Sequence, residues 1–326
     1  MSEATPLGGP ARSVLIRVDD LDAAKNFYQN GLGLSCTAEA ETISDELRRK
    51  WQLGEGEVRM ARLANPGDEF GAVDLIEWAG GSGETIRDPK APFDYGWLTL
   101  NWLTGDMPGA LALLAKFGAQ PVSATKSYEA GGRTILETMM DLPTGERCTL
   151  LQVGEAVAAT HPFGKGVATV GAVVESVEKS LPFYRDVLGL RVAVTIDHIG
   201  EPFSSLVGAP PETHLKMNLL AGADTWTGKL EILEFTLPES FNPRGDVNPR
   251  ADGSRTGYWM VSVSTPDIAA FCQAAAQAGA KVLSGVSEVD RPFIGKTRVA
   301  IVAAPGGELF EVYEPMLRDS IIELMD

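Results

Sequence analysis

The alternation of apolar and polar positions in this 326-residue chain repeats about halfway along it. Residues 12–18 alternate as in a β-strand, and residues 21–30 then carry an apolar stripe at helical spacing. Residues 167–174 and 177–188 follow the same order. The stripes consist of Leu21, Ala24, Phe27 and Tyr28 in the first copy and of Leu181, Phe183, Tyr184 and Leu188 in the second. Each copy therefore predicts a strand followed by a helix.

The residue types are repeated as well as the pattern. NFYQNGLGL at 26–34 corresponds to PFYRDVLGL at 182–190, an offset of 156 residues. VDLIEW at 73–78 corresponds to LEILEF at 230–235, an offset of 157 residues. A drift of one residue between two matches this far apart is hard to obtain by chance. The repeat indicates two copies of one structural unit.

A weaker repeat lies inside each half of the chain. Residues 95–122 read as a strand, a helix that begins at an Asp, a Gly stop and a further strand, and residues 257–283 have the same layout. Two strand-like runs follow each of them. The chain therefore predicts four βαβββ modules, two in each domain, joined by a linker at 154–166 that is rich in small residues.

Composition limits the classes of partner. The net charge of −16 disfavours nucleic acid and anionic membranes as partners, and no apolar run is long enough to span a bilayer. The three cysteines lie far apart, which predicts a reducing, cytoplasmic location. Residues 1–11 lack the pattern of a signal peptide and are predicted to be a disordered lead, and residues 316–326 are assigned to a C-terminal tail.

The FYxxxLGL pattern after a strand and a cap, with the Pro-x-Gly turn before the final strand of each half of the chain, resembles the vicinal oxygen chelate superfamily. That group includes glyoxalase I, extradiol dioxygenases and bleomycin-resistance proteins. The resemblance implies an α+β fold in which the four βαβββ modules pair into two glyoxalase-like half-barrel domains, at 12–153 and 167–315. It is specific for the fold and weak for activity, because the superfamily contains isomerases, lyases, oxygenases and binding proteins.

The resemblance also implies where a divalent metal would bind. The ligands come from the first and last strands of the two modules in a pair, usually as His or Gln and as Glu. These positions are predicted at Ser13, Trp97, Asp74 and Thr149 in the N-terminal pair and at Thr169, Tyr258, Glu231 and Glu311 in the C-terminal pair. The N-terminal cavity is therefore predicted to be metal-free and structural, and the C-terminal cavity to be the working one.

The C-terminal set predicts acid/base chemistry without a metal. Glu311 and Glu231 are the candidate catalytic pair, because neighbouring carboxyls in a cleft push their pKa values apart. Tyr258 is assigned as a donor and Thr169 as an orienting group. If Fe, Mn, Ni or Zn binds, Glu311 and Glu231 are expected to hold it with His214, which could lie across from Glu231. His214, Trp97 and Asp74 are the candidate substrate-binding residues.

Two functional hypotheses stay open. The preferred one is a glyoxalase- or dioxygenase-like enzyme, a lyase or isomerase among the classes considered, that acts on a small organic molecule in the C-terminal cavity. The alternative is a non-catalytic protein that sequesters an aromatic or cationic compound. No cofactor is predicted, a homodimer is consistent with the fold, and neither nucleic acid nor a membrane is expected as a partner.

Overall fold

The computed structural model describes residues 6–87, 93–157, 161–223, 225–241 and 252–316. Module 1 contains β1 (Ser13–Val18), α1 (Leu21–Asn26), β2 (Ser35–Ala40), α2 (Asp45–Lys50), β3 (Val58–Ala64) and β4 (Ala72–Trp78). Module 2 contains β5 (Gly96–Leu103), α3 (Met107–Ala115), β6 (Gln120–Pro121), β7 (Lys126–Ala130), β8 (Arg133–Asp141) and β9 (Arg147–Val153).

The second half of the chain repeats this order. Module 3 contains β10 (Thr169–Val173), α4 (Val177–Pro182), β11 (Arg191–Ile199), α5 (Phe203–Leu206), β12 (His214–Ala221) and β13 (Lys229–Thr236). Module 4 contains β14 (Gly257–Ser264), α6 (Ile268–Gln277), β15 (Lys281–Arg291), β16 (Gly295–Ala303) and β17 (Leu309–Pro315). The four-module prediction is confirmed.

Local sequence explains how the main helices begin. Asp20, Asp106, Ser176 and Asp267 each accept a backbone N–H from the first turn of the following helix. Such capping satisfies N–H groups that have no partner inside the helix. In modules 1 and 3 the repeated Phe-Tyr pair then forms a π-helical turn, at Phe27–Gly31 and Phe183–Val187, which places both aromatic rings in the core.

The modules pair differently from the prediction. One sheet has the order β15-β16-β17-β14-β1-β4-β3-β2, so it combines modules 4 and 1. The other has the order β11-β12-β13-β10-β5-β9-β8-β6 and combines modules 3 and 2. We call these two curled sheets the first half-barrel (modules 1 and 4) and the second half-barrel (modules 2 and 3). The expectation that consecutive modules share a cavity is therefore wrong.

First strands join the modules within each half-barrel. β1 pairs antiparallel with β14, and β10 pairs antiparallel with β5. Both pairings contain a register shift, at Leu15/Ile16 and at Gly171/Ala172. An extra residue in one strand changes which side chains face a given side of the sheet, so simple alternation fails at these points.

The apolar core has three parts. The largest contains helix residues from all four modules together with side chains from both sheets, among them Phe27, Trp102 and Phe183. A second cluster, around Trp51 and Trp259, belongs to the first half-barrel. A third cluster, which includes Leu98, belongs to the second half-barrel. The largest cluster packs the helices against both sheets, and the two smaller clusters lie on the concave sides of the two half-barrels.

The predicted lead and linker are more ordered than expected where they are described. Ala11 is buried and its N–H donates to the carbonyl of Gly228 at 2.8 Å, while Leu7 packs against the central core. Phe163 of the linker is buried in the same core. Residues 1–5 of the lead and 317–326 of the tail lie outside the described residues. Among those that are described, no helix has the length and apolar character needed to cross a membrane.

Candidate functional site

The concave side of the first half-barrel is filled by apolar side chains. Trp51, which follows α2, packs edge-on against Trp259 with ring centroids 5.6 Å apart. Leu15, Leu47, Met60, Ile76, Met260, Val299 and Ile301 are buried in the same cluster. Close packing of this kind leaves little space for a ligand.

A buried ion-pair network lies among these side chains. Asp74 on β4, Glu311 on β17 and Arg291 at the end of β15 have side chains that are 0% exposed. Arg291 Nη2 lies 3.0 Å from Asp74 Oδ2 and 3.1 Å from Glu311 Oε2. Arg62 adds two bonds to Asp74, at 2.7 and 2.8 Å. Two carboxylates are thus balanced by two guanidinium groups.

Further donors complete the network. Ser13 Oγ donates to Asp74 at 2.8 Å, and Ser262 Oγ donates to Glu311 at 3.0 Å. Trp51 Nε1 donates to Glu311 Oε1 at 2.9 Å. Burial alone would raise the pKa of Asp74, but Arg62 and Arg291 outweigh it and hold that pKa well below its usual range. Asp74 is therefore held as a carboxylate with its oxygens already bonded.

The second half-barrel encloses a cavity of about 720 Å³. Its walls are mainly apolar, and they include Leu98, Leu103, Ile135, Met139, Leu151, Val194, Ile196, Phe203, Leu206, Leu215, Met217, Leu219 and Leu233. A cavity of this size and character suits a small organic molecule. This cavity lies between modules 2 and 3.

A polar cluster lines one part of this cavity. Asn101 Nδ2 donates to Glu231 Oε2 at 3.1 Å, and the hydroxyls of Thr99 and Thr149 lie 3.1 Å apart. The strand register brings these groups together, because Asn101 on β5 is paired with Thr169 on β10 and with Thr149 on β9. All five side chains line the cavity.

Gly171 gives the Glu231 carboxyl its space. These two residues are paired across β10 and β13. A Cβ at Gly171 would lie 3.2 Å from Glu231 Oε2 and 2.9 Å from Thr99 Cγ2. In module 1 the equivalent residue, paired with Asp74, is Leu15, which belongs to the apolar filling.

Two carboxyls of the cavity have raised pKa values. Burial raises the pKa of Glu231 to about 7, although the Asn101 amide opposes this. Burial raises the pKa of Glu137 to about 7 as well, and the charge of Glu231 adds to that effect. The hydroxyl of Tyr128 donates to Glu137 Oε2 at 2.5 Å. Near neutral pH each carboxyl is therefore able to give or take a proton.

Cationic side chains line the cavity elsewhere. Lys229 lies two residues before Glu231 on β13, and its ammonium sits 5.4 Å from the ring centroid of Trp226. Burial lowers the pKa of Lys229. Trp226 is 69% exposed, and Arg133 on β8 is exposed too. Trp226 marks this part of the lining as open to solvent.

Neither half-barrel offers the set of His or Gln and Glu donors that the resemblance implied for a divalent metal. In the first, guanidinium groups and hydroxyls already bond the carboxylates. In the second, one carboxyl, one amide and two hydroxyls stand at the corresponding strand positions, a poor set for a transition metal. Within the described ranges, no three His, Cys, Asp or Glu side chains gather in a way that could hold a metal ion.

The predicted catalytic pair is divided between the two half-barrels. Glu311 lies in the buried network of the first, whereas Glu231 and Thr169 line the cavity of the second. The prediction that Glu311 and Glu231 share one site is therefore wrong, because it assumed that modules 3 and 4 pair.

Tyr258 and Trp97 lie on neither concave side. They belong to the central core and line a separate cavity of about 280 Å³. Tyr258 donates to the carbonyl of Arg147, and Trp97 Nε1 donates to that of Leu309 at 3.1 Å. The expected inward orientation is wrong, because the register shift beside each of them breaks the alternation. Trp259, the neighbour of Tyr258 on β14, packs inside the first half-barrel.

His214 does not approach Glu231 through strand pairing. It is paired with Thr236, and Glu231 is paired with Leu219. The imidazole Nε2 instead contacts Asp197 Oδ1 on β11. The expectation that His214 lies across from Glu231, which made it the third ligand, is therefore wrong. Asp74, also assigned to substrate, is enclosed in the ion-pair network.

Several residues of these sites were not predicted from the sequence, among them Asn101, Ser262, Glu137 and Tyr128. Asn101 and Ser262 lie four residues beyond Trp97 and Tyr258, the positions predicted for their strands. In the structure they occupy equivalent places, since Ser262 is paired with Glu311 as Asn101 is with Thr149. Glu137 and Arg291 depend on how distant modules meet, which the repeat does not encode.

Comparisons with known proteins agree with the fold. Residues 166–312 match the family model described as Glyoxalase/Bleomycin resistance protein/Dioxygenase superfamily. Glyoxalase I from Zea mays is similar with a TM-score of 0.64 at 18% identity, over 97% of this chain and 95% of that chain. A putative dioxygenase from Bacillus subtilis subsp. subtilis str. 168 is similar with a TM-score of 0.58 at 18% identity, over 96% of this chain and 87% of that chain. No curated protein matches the chain.

Proposed function

We propose that this chain, whose residues 166–312 match the model of the glyoxalase/bleomycin resistance protein/dioxygenase superfamily, acts on a small organic molecule held in the second half-barrel. Glu231 transfers the proton. One observation carries the proposal: a carboxyl with a pKa of about 7 lines an apolar cavity of about 720 Å³. A group with such a pKa is suited to act as acid and base at neutral pH.

The chemistry that fits these groups is proton transfer at carbon. Glu231 as carboxylate takes a proton from a carbon that is activated by a neighbouring carbonyl, and it returns that proton to an adjacent atom of the same molecule. The reaction is then an isomerisation; if Glu231 instead passes the proton to a leaving group whose bond to the neighbouring carbon breaks, it is an elimination. General acid/base catalysis of this kind contributes about 10²–10⁴-fold to the rate.

The surrounding residues orient Glu231, bind the ligand and contribute a second titrating carboxyl. Asn101 holds one oxygen of Glu231 and so fixes the orientation of the carboxyl. The hydroxyls of Thr99, Thr149 and Thr169 offer hydrogen bonds to an oxygen of the ligand. Glu137 titrates in the same range, so the two carboxyls give the pH profile as a pair rather than singly.

A second function is favoured by the apolar walls. A cavity lined mainly by Leu, Ile, Val and Met side chains would also retain an apolar or cationic compound without changing it. In that case the two carboxyls provide a negative counter-charge for an ammonium group, and nothing is turned over.

Glu231→Gln distinguishes the two functions, because the amide keeps the shape of the carboxyl and cannot act as a base. A panel of small carbonyl compounds and amines is first screened by thermal shift against the wild-type chain. For a compound that binds, the enzyme hypothesis expects turnover to fall at least 100-fold in Glu231→Gln while the dissociation constant changes little.

The control is Glu212→Gln, which alters an exposed carboxyl away from the cavity. It is expected to leave both turnover and affinity unchanged. A compound that binds the wild-type chain and is never altered, and whose affinity falls in Glu231→Gln, supports the binding function. Equal turnover in the wild-type and Glu231→Gln chains contradicts the assigned role of Glu231.

A further inference from the structure

Arg291 occupies a specific place in the first half-barrel. Ser13 and Ser262 come from the two first strands of that sheet, and Asp74 and Glu311 come from its two last strands. These are the strand positions from which the superfamily takes metal ligands. The guanidinium of Arg291 lies between the two carboxylates, at 3.0 and 3.1 Å.

The second half-barrel provides an internal comparison. Its corresponding side chains are Thr169, Asn101, Glu231 and Thr149, and this set contains a single carboxyl. No guanidinium bonds that carboxyl among the contacts of the described residues. A guanidinium thus bridges the two carboxylates at these strand positions in the first half-barrel. At the corresponding positions of the second half-barrel there is one carboxyl, and among the described residues its side-chain partner is the Asn101 amide.

The charges require compensation. Two carboxylates that are both fully buried cannot remain ionised without positive charge nearby, because burial removes their hydration. Arg62 supplies one positive charge from the side of Asp74, where its side chain is 20% exposed. Arg291 supplies the other and is the cation that touches both carboxylates.

The site holds Arg291 in a fixed position. Its Nη1 donates to the carbonyl of Pro292 at 3.0 Å, and its guanidinium carbon lies 5.4 Å from the ring centroid of Trp51. Trp51 in turn donates to Glu311 Oε1, the carboxylate oxygen that Arg291 does not contact. A planar, permanently charged fork suits such bridging contacts better than a single ammonium does.

We propose that Arg291 takes the place and the charge-neutralising role of the metal ion in the first half-barrel, so that this half of the chain folds around an internal cation. This proposal is independent of the proposed function, which concerns the other half-barrel. It predicts that the two carboxylates need Arg291 for stability and that a divalent ion can substitute for it.

The test compares the wild-type chain with Arg291→Met, Arg291→Lys and a triple variant that adds Asp74→Asn and Glu311→Gln to Arg291→Met. Thermal unfolding is measured in chelator and again in 1 mM MnCl₂. We expect Arg291→Met to unfold about 5–10 °C below the wild-type chain, because one partner of a buried pair is missing. Arg291→Lys should fall between the two, since it keeps the charge and loses the fork.

The measurements in MnCl₂ test whether a metal ion can occupy the position of Arg291 as well as replace its charge. Mn²⁺ should raise the unfolding temperature of Arg291→Met by about 4 °C, as expected for an ion well above its dissociation constant, and should leave the wild-type and triple variants unchanged. The triple variant should be more stable than Arg291→Met in chelator. If Arg291→Met yields no folded protein, a folded triple variant supports the proposal and an unfolded one overturns it.

Two results overturn the proposal. One is an Arg291→Met variant as stable as the wild-type chain, which would mean that the carboxylates need no internal cation. The other is an equal response of Arg291→Met and the triple variant to Mn²⁺, which would place the ion outside this network.

Discussion

Replacing Glu231 by Gln should change how the stability of this chain depends on pH. In the folded chain burial raises the pKa of Glu231 to about 7, from an ordinary value of 4.5. The folded state therefore holds the proton more tightly than the unfolded state. The resulting stabilisation is fully present below about pH 4.5 and is lost as the pH rises through about 7. Gln has no proton to lose, so the variant should escape this loss.

The magnitude follows from the size of the shift. One pKa unit corresponds to about 1.4 kcal/mol, so the full shift of Glu231 sets an upper limit of about 3 kcal/mol. The carboxyl lines a cavity that water can enter, and water screens part of its charge. We therefore expect the wild-type chain to lose about 1–3 kcal/mol more than Glu231→Gln between pH 5 and pH 8.5.

Urea unfolding at pH 5 and pH 8.5 measures this difference directly, without knowledge of any ligand. Glu212→Gln, an exposed substitution, serves as the control and should follow the wild-type chain at both pH values. Equal pH dependence in the wild-type and Glu231→Gln chains would refute the reasoning, because it would mean that Glu231 ionises in the folded state as readily as in water. Glu137→Gln should flatten the curve in the same direction.

Three further changes test the two half-barrels. Asn101→Ala removes the amide that lowers the pKa of Glu231, so the pH transition should move upward in the same urea series, and an unchanged midpoint would contradict the contact. Trp51→Phe removes the N–H donor from buried Glu311 and should cost about 1–3 kcal/mol in urea unfolding at pH 7, where no loss would contradict it. Met217→Trp should fill part of the cavity and abolish ligand-induced thermal shifts at little cost in stability, and retained shifts would place the ligand elsewhere.

The four modules could be predicted from the sequence, but which modules share a sheet could not. Strand and helix periodicity and the caps are local properties, so the repeat correctly predicted four βαβββ units. Which first strand pairs with which is decided by contacts between residues far apart in the chain, such as β1 with β14. Residues 95–122 follow module 1 directly, yet they join module 3 in the second half-barrel.

The site was predicted in part for the same reason. Glu231 and Thr169 both line the cavity of the second half-barrel, and their relation is local because they belong to one module. Glu137 comes from module 2 and meets Glu231 only because modules 2 and 3 share a sheet. Trp97 and Tyr258 were misplaced because each strand shifts register beside them, and no residue pattern announced that shift.

Asp74 and Glu231 show why one half-barrel of a duplicated chain can lose its site while the other keeps a cavity. They occupy equivalent places, paired with Leu15 and Gly171 respectively. Leu15 belongs to the apolar filling, whereas Gly171 leaves space beside the carboxyl. Guanidinium groups lower the pKa of Asp74, whereas burial with one amide partner raises that of Glu231 to about 7. The oxygens of Asp74 are already bonded by two guanidinium groups and cannot bind a ligand as well. Glu231 has one amide partner and no cationic one among its hydrogen bonds to described residues, so we expect the proton-transfer chemistry at Glu231.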